Sequence, residues 1–197
     1  MLENLKKYNV VLASNSPRRR ELLGGLGIDF QVRTLSDIDE SYPDDLRGED
    51  IPLYICNKKA QAYAATMADN ELLITADTVV WIDGTVLGKP SSEEEARHML
   101  RLLSGKVHQV TTGVNVTIKK FTIQTTQFAV TSKVSFAELS DEEIDYYVTH
   151  FHPLDKAGAY GIQEWIGFIG VNSLSGSYFN VMGLPVQRLY EVLKTIK

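Results

Sequence analysis

Between Leu72 and Ile82 the chain reads Leu-Leu-Ile-Thr-Ala-Asp-Thr-Val-Val-Trp-Ile, an apolar run broken once, by Asp77. A run of this kind, rich in β-branched residues and closed by the Asp83-Gly84 turn signal, belongs to a sheet. It fits either one long strand interrupted by Asp77 or a pair of strands. Parallel-type sheets present ligand-binding residues at strand ends, which is one reading of Asp77. A carboxylate there needs a partner, since desolvating an unpaired charge costs on the order of several kcal/mol. Lys59, Lys89 and Lys106 are candidate partners, beside a divalent cation or a bound substrate complex. The plainer reading makes Asp77 a turn residue or a helix-cap acceptor, and both stand at this level.

Helical and strand-like periods alternate around this run. Val10 to Ala13 reads as a strand. Ser14-Asn15-Ser16-Pro17 then supplies a turn, an N-cap in Ser16 and a proline at the first helical position. Leu22, Leu23 and Leu26 share one face of that helix, which is expected to stop at Gly27. A polar, acidic segment from Ser36 to Asp50 leads to a second helix over Leu53 to Met67. Ser92 with Glu95, and Ser140 with Glu143, predict two capping boxes, with helices to Gly105 and to about Phe151. His108 to Ile118 and Thr122 to Leu139 predict long antiparallel strands joined around Lys119-Lys120. Pro153 to Gly183 reads as structured loops with a short strand, and Pro185 opens a last amphipathic helix ending near Lys194 and Lys197. The mixture predicts an α/β fold.

Arg18-Arg19-Arg20 places three cations in the first turn of the helix after Ser16, where the macrodipole is already positive. Acidic residues are favoured there by about 0.3–1 kcal/mol each, so the inversion suggests that an anion supplies the missing charge. A triphosphate fits: helix N–H groups, the Ser14 and Ser16 hydroxyls and guanidinium forks can hold several phosphate oxygens. A capped helix with a solvated basic patch is the bland alternative. The Gly-x4-Gly-Lys-Ser/Thr loop is absent. Asp39 and Glu40 are candidate metal ligands or a solvated acidic loop, and Asp155 beside Lys156 is a surface ion pair or a second functional carboxylate.

The 197 residues are 44% hydrophobic, enough to bury the core of one ordinary domain, with room for a split into two lobes. A formal net charge of -5 argues against non-specific nucleic-acid binding. Cys56 is the single cysteine, and no Cys/His spacing suggests zinc, so oxygen ligands are expected for any metal. Met1 to Tyr8 carries Glu3, Lys6 and Lys7 without an apolar stretch behind them, and a cytoplasmic location without membrane attachment is expected. His98, His108, His150 and His152 have no Ser or Cys partner at a triad spacing and are read as structural. The Tyr and Trp residues between Tyr160 and Phe179 are read first as core, with one of them lining a nucleobase pocket as the alternative.

Ser14-Asn15-Ser16-Pro17-Arg18-Arg19 with Glu21-Leu22-Leu23, Ala76-Asp77-Thr78 and Leu87-Gly88-Lys89-Pro90 all resemble Maf proteins. So do Leu103-Ser104-Gly105 with His108-Val110-Thr111, the segment Asp155-Lys156-Ala157-Gly158-Ala159-Tyr160-Gly161-Ile162-Gln163, and Asn180-Val181-Met182-Gly183-Leu184-Pro185. The resemblance spans nearly the whole chain and implies one Maf-like domain over residues 1–197. It implies a mixed, elongated α/β sheet with flanking helices in two lobes around a cleft, similar to inosine triphosphate pyrophosphatase, and a homodimer. The implied reaction cleaves dTTP or UTP between the α and β phosphates with Mg²⁺ or Mn²⁺, giving a monophosphate and pyrophosphate. Asp77 matches the family's proton acceptor and, with Glu40, its metal ligands. Ser14, Arg18, Arg19, Lys59 and Lys89 match phosphate-binding positions, and Arg18, Thr78 and Gln163 match positions linked to substrate choice. The family usually has glycine after that glutamine, whereas Glu164-Trp165 follows here. The rival readings are a pyrophosphatase for modified or purine nucleotides, and a regulatory protein of cell division that acts by binding.

Overall fold

The computed structural model describes residues 2–36, 38–120 and 122–197, so Met1, Asp37 of the acidic segment and Phe121 lie outside the described residues. Strand β1 (Asn9–Leu12) leads through Ser14–Ser16 into helix α1 (Pro17–Gly24). Ser16 caps that helix, its Oγ accepting the Arg19 N–H at 3.4 Å, with Pro17 in the first turn. The helix ends at Gly24, before the expected Gly27. Gly27 instead closes one further turn, its N–H donating to Gly24 O, with φ +68. Strand β2 (Gln31–Val32), helix α2 (Asp50–Ala64) and strand β3 (Glu71–Ile82) follow. Next come β4 (Thr85–Leu87), α3 (Glu93–Leu103), β5 (Val107–Lys119), β6 (Ile123–Phe136) and α4 (Asp141–Phe151). The chain ends with α5 (Trp165–Gly170), β7 (Val171–Ser175), α6 (Tyr178–Met182) and α7 (Val186–Thr195). Hydrogen-bonded neighbours in the sheet run β2-β1-β3-β5-β6-β7, with β4 against β3. This is the mixed α/β architecture that the sequence predicts.

The chain divides into two compact units, Met1–Asp77 with Thr112–Val130 and Gly183–Lys197, and Thr78–Thr111 with Thr131–Met182. Strands β3, β5 and β6 contribute residues to both. In the first unit β1 is flanked by two parallel neighbours, with Val11 opposite Gln31 and Val10 and Leu12 opposite Leu72 and Ile74. Inner parallel strands are covered on both faces, which is why Leu72, Leu73 and Ile74 are consecutive apolar residues with no exposed surface. Helix α2 covers one face through Ala60 and Tyr63, which join Val11, Ala13, Met67 and Leu73 in a buried cluster. Burial of one such leucine contributes about 1.5–3 kcal/mol. Gly113 of β5 lets the helix start come close: a Cβ there would lie 2.5 Å from the Pro52 carbonyl carbon.

The apolar run is one uninterrupted strand, not a pair, because the extended backbone runs straight through Asp77 and the carboxylate is answered by a side chain. Within the second unit β3 turns back on β4, with Val80 opposite Leu87 and Ile82 opposite Thr85. Asp83 and Gly84 both have positive φ, 48° and 80°, the signature of a two-residue hairpin turn. Side-chain pairs Thr111–Thr131 and Thr117–Thr125 keep a constant sum of residue numbers, as antiparallel β5 and β6 require.

Helices α3 and α4 of the second unit are clipped by Arg97, which meets Asp145 at 2.9 Å, and Arg101, which meets Asp141 at 2.7 Å. The capping box at Ser140 and Glu143 is complete. At Ser92 only half forms: Ser92 Oγ takes the Glu95 N–H, but the Glu95 carboxylate takes the N–H and hydroxyl of Ser91. The stretch expected as loops and a strand also holds α5 and α6, of 6 and 5 residues. Helices this short have little stability of their own and exist through tertiary packing, so local pattern does not announce them.

Candidate active site

In the first unit, the turn before α1 is built from its own hydroxyls. Ser14 is buried and its Oγ accepts the Ser16 N–H at 3.2 Å, while Ser16 O accepts the Arg20 N–H at 3.2 Å. No acidic residue occupies the first helical turn. The three arginines then diverge. Arg20 is exposed, whereas Arg18 and Arg19 are half-buried, and Arg19 is held by two backbone carbonyls. Arg19 Nε donates to Gly183 O at 2.8 Å and its Nη1 to Ala76 O at 2.8 Å. Burial pulls its pKa down from the ordinary guanidinium range; the charges of Asp77 and Glu40 oppose that shift, and neighbouring Arg18 adds to it. The guanidinium is therefore not splayed into solvent, and its carbonyl acceptor on β3 immediately precedes Asp77.

Asp77 is buried, 8% exposed, and finds its partner in helix α2. Lys59 Nζ lies 2.8 Å from Asp77 Oδ1 and 3.0 Å from Glu40 Oε1. Of the three candidate lysines, Lys59 answers the carboxylate, because α2 packs beside the first half of β3. Lys106 pairs with Asp83 at 3.0 Å instead, and Lys89 is exposed. Asp39 and Glu40 also separate. Asp39 accepts from Lys58 at 2.7 Å and from Ser41, which hold its carboxyl well below the usual range, whereas Glu40 reaches Lys59. Cys56 is one turn before Lys59 and has its thiol pushed up to about 12, first by burial and then by the Asp77 charge. A thiol so protonated is no nucleophile.

Two carboxylates converging on one cation suit a hard divalent metal, since Mg²⁺ is commonly held by one or two carboxylates together with substrate phosphates. Glu40 and Asp77 fit that role. Among the described residues no group of three His, Cys, Asp or Glu side chains comes together.

The other predicted positions, Thr78, Lys89 and Gln163, belong to the second unit. Thr78 follows Asp77 on β3, so its side chain projects to the opposite face of the strand. Gln163 sits in a turn closed by the Glu164 N–H to Gly161 O bond at 2.9 Å, and its Oε1 is buried without a hydrogen-bond partner among the described residues. Asp155 is a partly exposed ion pair with Lys156 at 2.7 Å. His108 is buried, its pKa lowered to about 4 by burial, and shares a 2.8 Å hydrogen bond with Tyr160 beside Phe136. It is structural, as expected. Tyr160 is core and Trp165 is half-buried, but Tyr178 is exposed, which corrects the core reading at that position. Sequence reasoning did not single out the Gly183 carbonyl that holds Arg19. Its signal was the Gly183-Leu184-Pro185 lead into α7, where Gly183 has φ +113.

A family described as Maf-like protein matches residues 9–196. A Phocaeicola vulgatus protein named dTTP/UTP pyrophosphatase is 63% identical over 197 residues, covering 100% of both chains. A Parabacteroides distasonis protein of the same name is 62% identical over 194 residues, covering 98% of this chain and 99% of its own. A solved structure, that of the Staphylococcus aureus Ham1 protein, matches with TM-score 0.56 at 17% identity, covering 96% of this chain and 100% of that one. That last likeness concerns the fold alone. With the arginine-headed helix, the lysine-bridged carboxylates and full-length relatives in agreement, the chain belongs to the Maf family.

Proposed function

We propose that this protein is a metal-assisted nucleoside triphosphate pyrophosphatase acting on dTTP and UTP. The relatives named above carry that activity in their names, and the whole chain aligns with them. The observation that carries the reading is that Lys59 bridges buried Asp77 and Glu40, while Arg19 from the start of α1 holds the Ala76 carbonyl next to Asp77. The family match over residues 9–196 supports one Maf-like domain.

In the reaction, water attacks the α-phosphorus, the bond from that phosphorus to the α–β bridging oxygen breaks, and pyrophosphate leaves. Asp77 orients the water and takes its proton. Ser14, Arg18, Arg19, Lys59 and Lys89 bind phosphate oxygens, and the guanidinium forks favour the growing negative charge on the leaving group. A divalent cation held by Glu40 and Asp77 supplies further charge neutralisation when bound. Arg18, Thr78 and Gln163 choose the base. A glutamine amide accepts from the N3–H of uracil or thymine and donates to the adjacent carbonyl, and an unpartnered, buried Oε1 on Gln163 supports that role. Among the described residues no helix is long and apolar enough to cross a membrane, in keeping with a cytoplasmic enzyme, and a homodimer is part of this reading.

Pyrophosphate release across dTTP, UTP, CTP, purine and modified triphosphates, with and without EDTA, tests the proposal. Metal-dependent turnover led by dTTP and UTP is expected. Turnover led by a purine or modified nucleotide would overturn the substrate reading, and no turnover of any triphosphate would overturn the enzymatic one.

A further inference from the structure

Gln163 lies on a four-residue turn, Gly161-Ile162-Gln163-Glu164, that is tied more tightly than its backbone alone would tie it. The Glu164 N–H donates to Gly161 O at 2.9 Å. From α4, Tyr147 closes a second link across the same ends: its Oη accepts the Gly161 N–H at 3.0 Å and donates to Glu164 Oε2. Buried Lys156 stands 3.1 Å from Glu164 Oε1, so the carboxylate is engaged at both oxygens. The first turn of α5 presses on the other side, since a Cβ on Gly167 would fall 1.8 Å from Ile162 O.

The Gln163 amide and the Glu164 carboxylate pack on the same small surface. A Cβ built on Gly161 would meet Glu164 Cδ at 2.9 Å and Gln163 Nε2 at 3.0 Å. The glutamine amide nitrogen thus faces Gly161, as the clamped carboxylate does, while its oxygen is the buried acceptor that no described residue answers. Which end of an amide is which decides what it reads. Uracil and thymine offer an N3–H donor beside an O4 acceptor, whereas cytosine offers an N3 acceptor beside an N4–H₂ donor. Turning the amide by half a revolution about its last torsion exchanges its donor and acceptor and converts a uracil reader into a cytosine reader.

We propose that Glu164, clamped by Tyr147 and Lys156, is a positioning residue that prevents this turn of the Gln163 amide and so sets discrimination against cytosine nucleotides. It rests on the reading of Gln163 as the base-reading residue and adds the part of the chain that enforces it. Glu164 touches no reacting atom; it acts through Gln163.

The test is steady-state kinetics on UTP and CTP for the wild type, Gln163→Ala, Glu164→Ala, Glu164→Gln, Tyr147→Phe and the Gln163→Ala/Glu164→Ala double variant, with melting temperatures in parallel. Expected is a fall of about tenfold in the UTP-to-CTP ratio of kcat/KM for Glu164→Ala and for Tyr147→Phe, carried by KM more than by kcat. Glu164→Gln, which keeps an acceptor for the Tyr147 hydroxyl, retains most of the ratio. The double variant is no less selective than Gln163→Ala, because the clamp has nothing left to hold. A wild-type ratio in Glu164→Ala and Tyr147→Phe, alongside a reduced one in Gln163→Ala, overturns the positioning role and leaves the base reading standing. An unchanged ratio in Gln163→Ala overturns both. Equal losses on both nucleotides that follow melting temperature mark Glu164 as structural only and overturn the proposal. If Glu164→Ala does not fold, Tyr147→Phe and Glu164→Gln decide between these outcomes.

Discussion

Lys59 Nζ sits 2.8 Å from Asp77 Oδ1, joining residues 18 positions apart in the chain and pairing two side chains that are each 12% exposed. Removing one member of a buried pair leaves the other without its countercharge, at about 3–5 kcal/mol. With both side chains slightly open to water, Lys59→Met is expected at the lower end, about 3 kcal/mol, in urea unfolding. Lys59→Met/Asp77→Asn should recover part of the loss, since it removes both charges. Asp77→Asn alone should keep the fold and lower kcat by about 10²–10⁴-fold, measured as pyrophosphate release. Activity near the wild-type level in Asp77→Asn would remove Asp77 from the chemistry.

Arg19 and Arg20 are neighbours in sequence with different fates, and their substitutions should differ accordingly. Arg19→Lys cannot reach the Ala76 and Gly183 carbonyls together, as the guanidinium does at 2.8 Å to each. A loss of about 2 kcal/mol in unfolding free energy and a raised KM for nucleotide are expected. Arg20→Ala, on an exposed side chain, should stay within about 0.5 kcal/mol of the wild type. Chemical denaturation and KM on the same preparations check both.

His108 makes stability depend on acidity. Its folded pKa, about 4, lies below its ordinary 6.5, so the unfolded chain takes up the proton first as pH falls. The contribution is complete above about 6.5, declines between 6.5 and 4, and is lost below 4. The full span corresponds to about 3 kcal/mol. Urea midpoints at pH 7 and pH 5 should show the decline, and His108→Asn should flatten it. An unchanged pH slope in that variant would place the acid sensitivity elsewhere.

Chelation should stop turnover, and Mg²⁺ or Mn²⁺ should restore it. Glu40→Gln leaves Asp77 alone as a carboxylate ligand, so the cation concentration for half-maximal rate should rise roughly tenfold while saturating metal recovers most of the activity. An unshifted metal titration would remove Glu40 from the metal site.

What could be read before folding was what neighbours decide. Ser16 and Pro17 start α1, Ser140 and Glu143 close a capping box, and Asp83-Gly84 turns β3 into β4, all through contacts spanning four residues or fewer. The inverted charge of Arg18-Arg19-Arg20 and the lone aspartate in an apolar strand were equally visible, because each violates a local rule. Choice among equivalent partners was not. Lys59 rather than Lys89 or Lys106 for Asp77, Glu40 rather than Asp39 for Lys59, and Gly183 for Arg19 across 164 positions all depend on which elements pack together. Helices α5 and α6 are too short to be stable by propensity, and the clamp of Tyr147 and Lys156 on Glu164 joins segments whose periodicities say nothing of each other. Backbone hydrogen bonding and side-chain period act over a few residues and leave their mark in the string. Charge pairing and burial act through space, and only the folded chain brings the paired groups within reach.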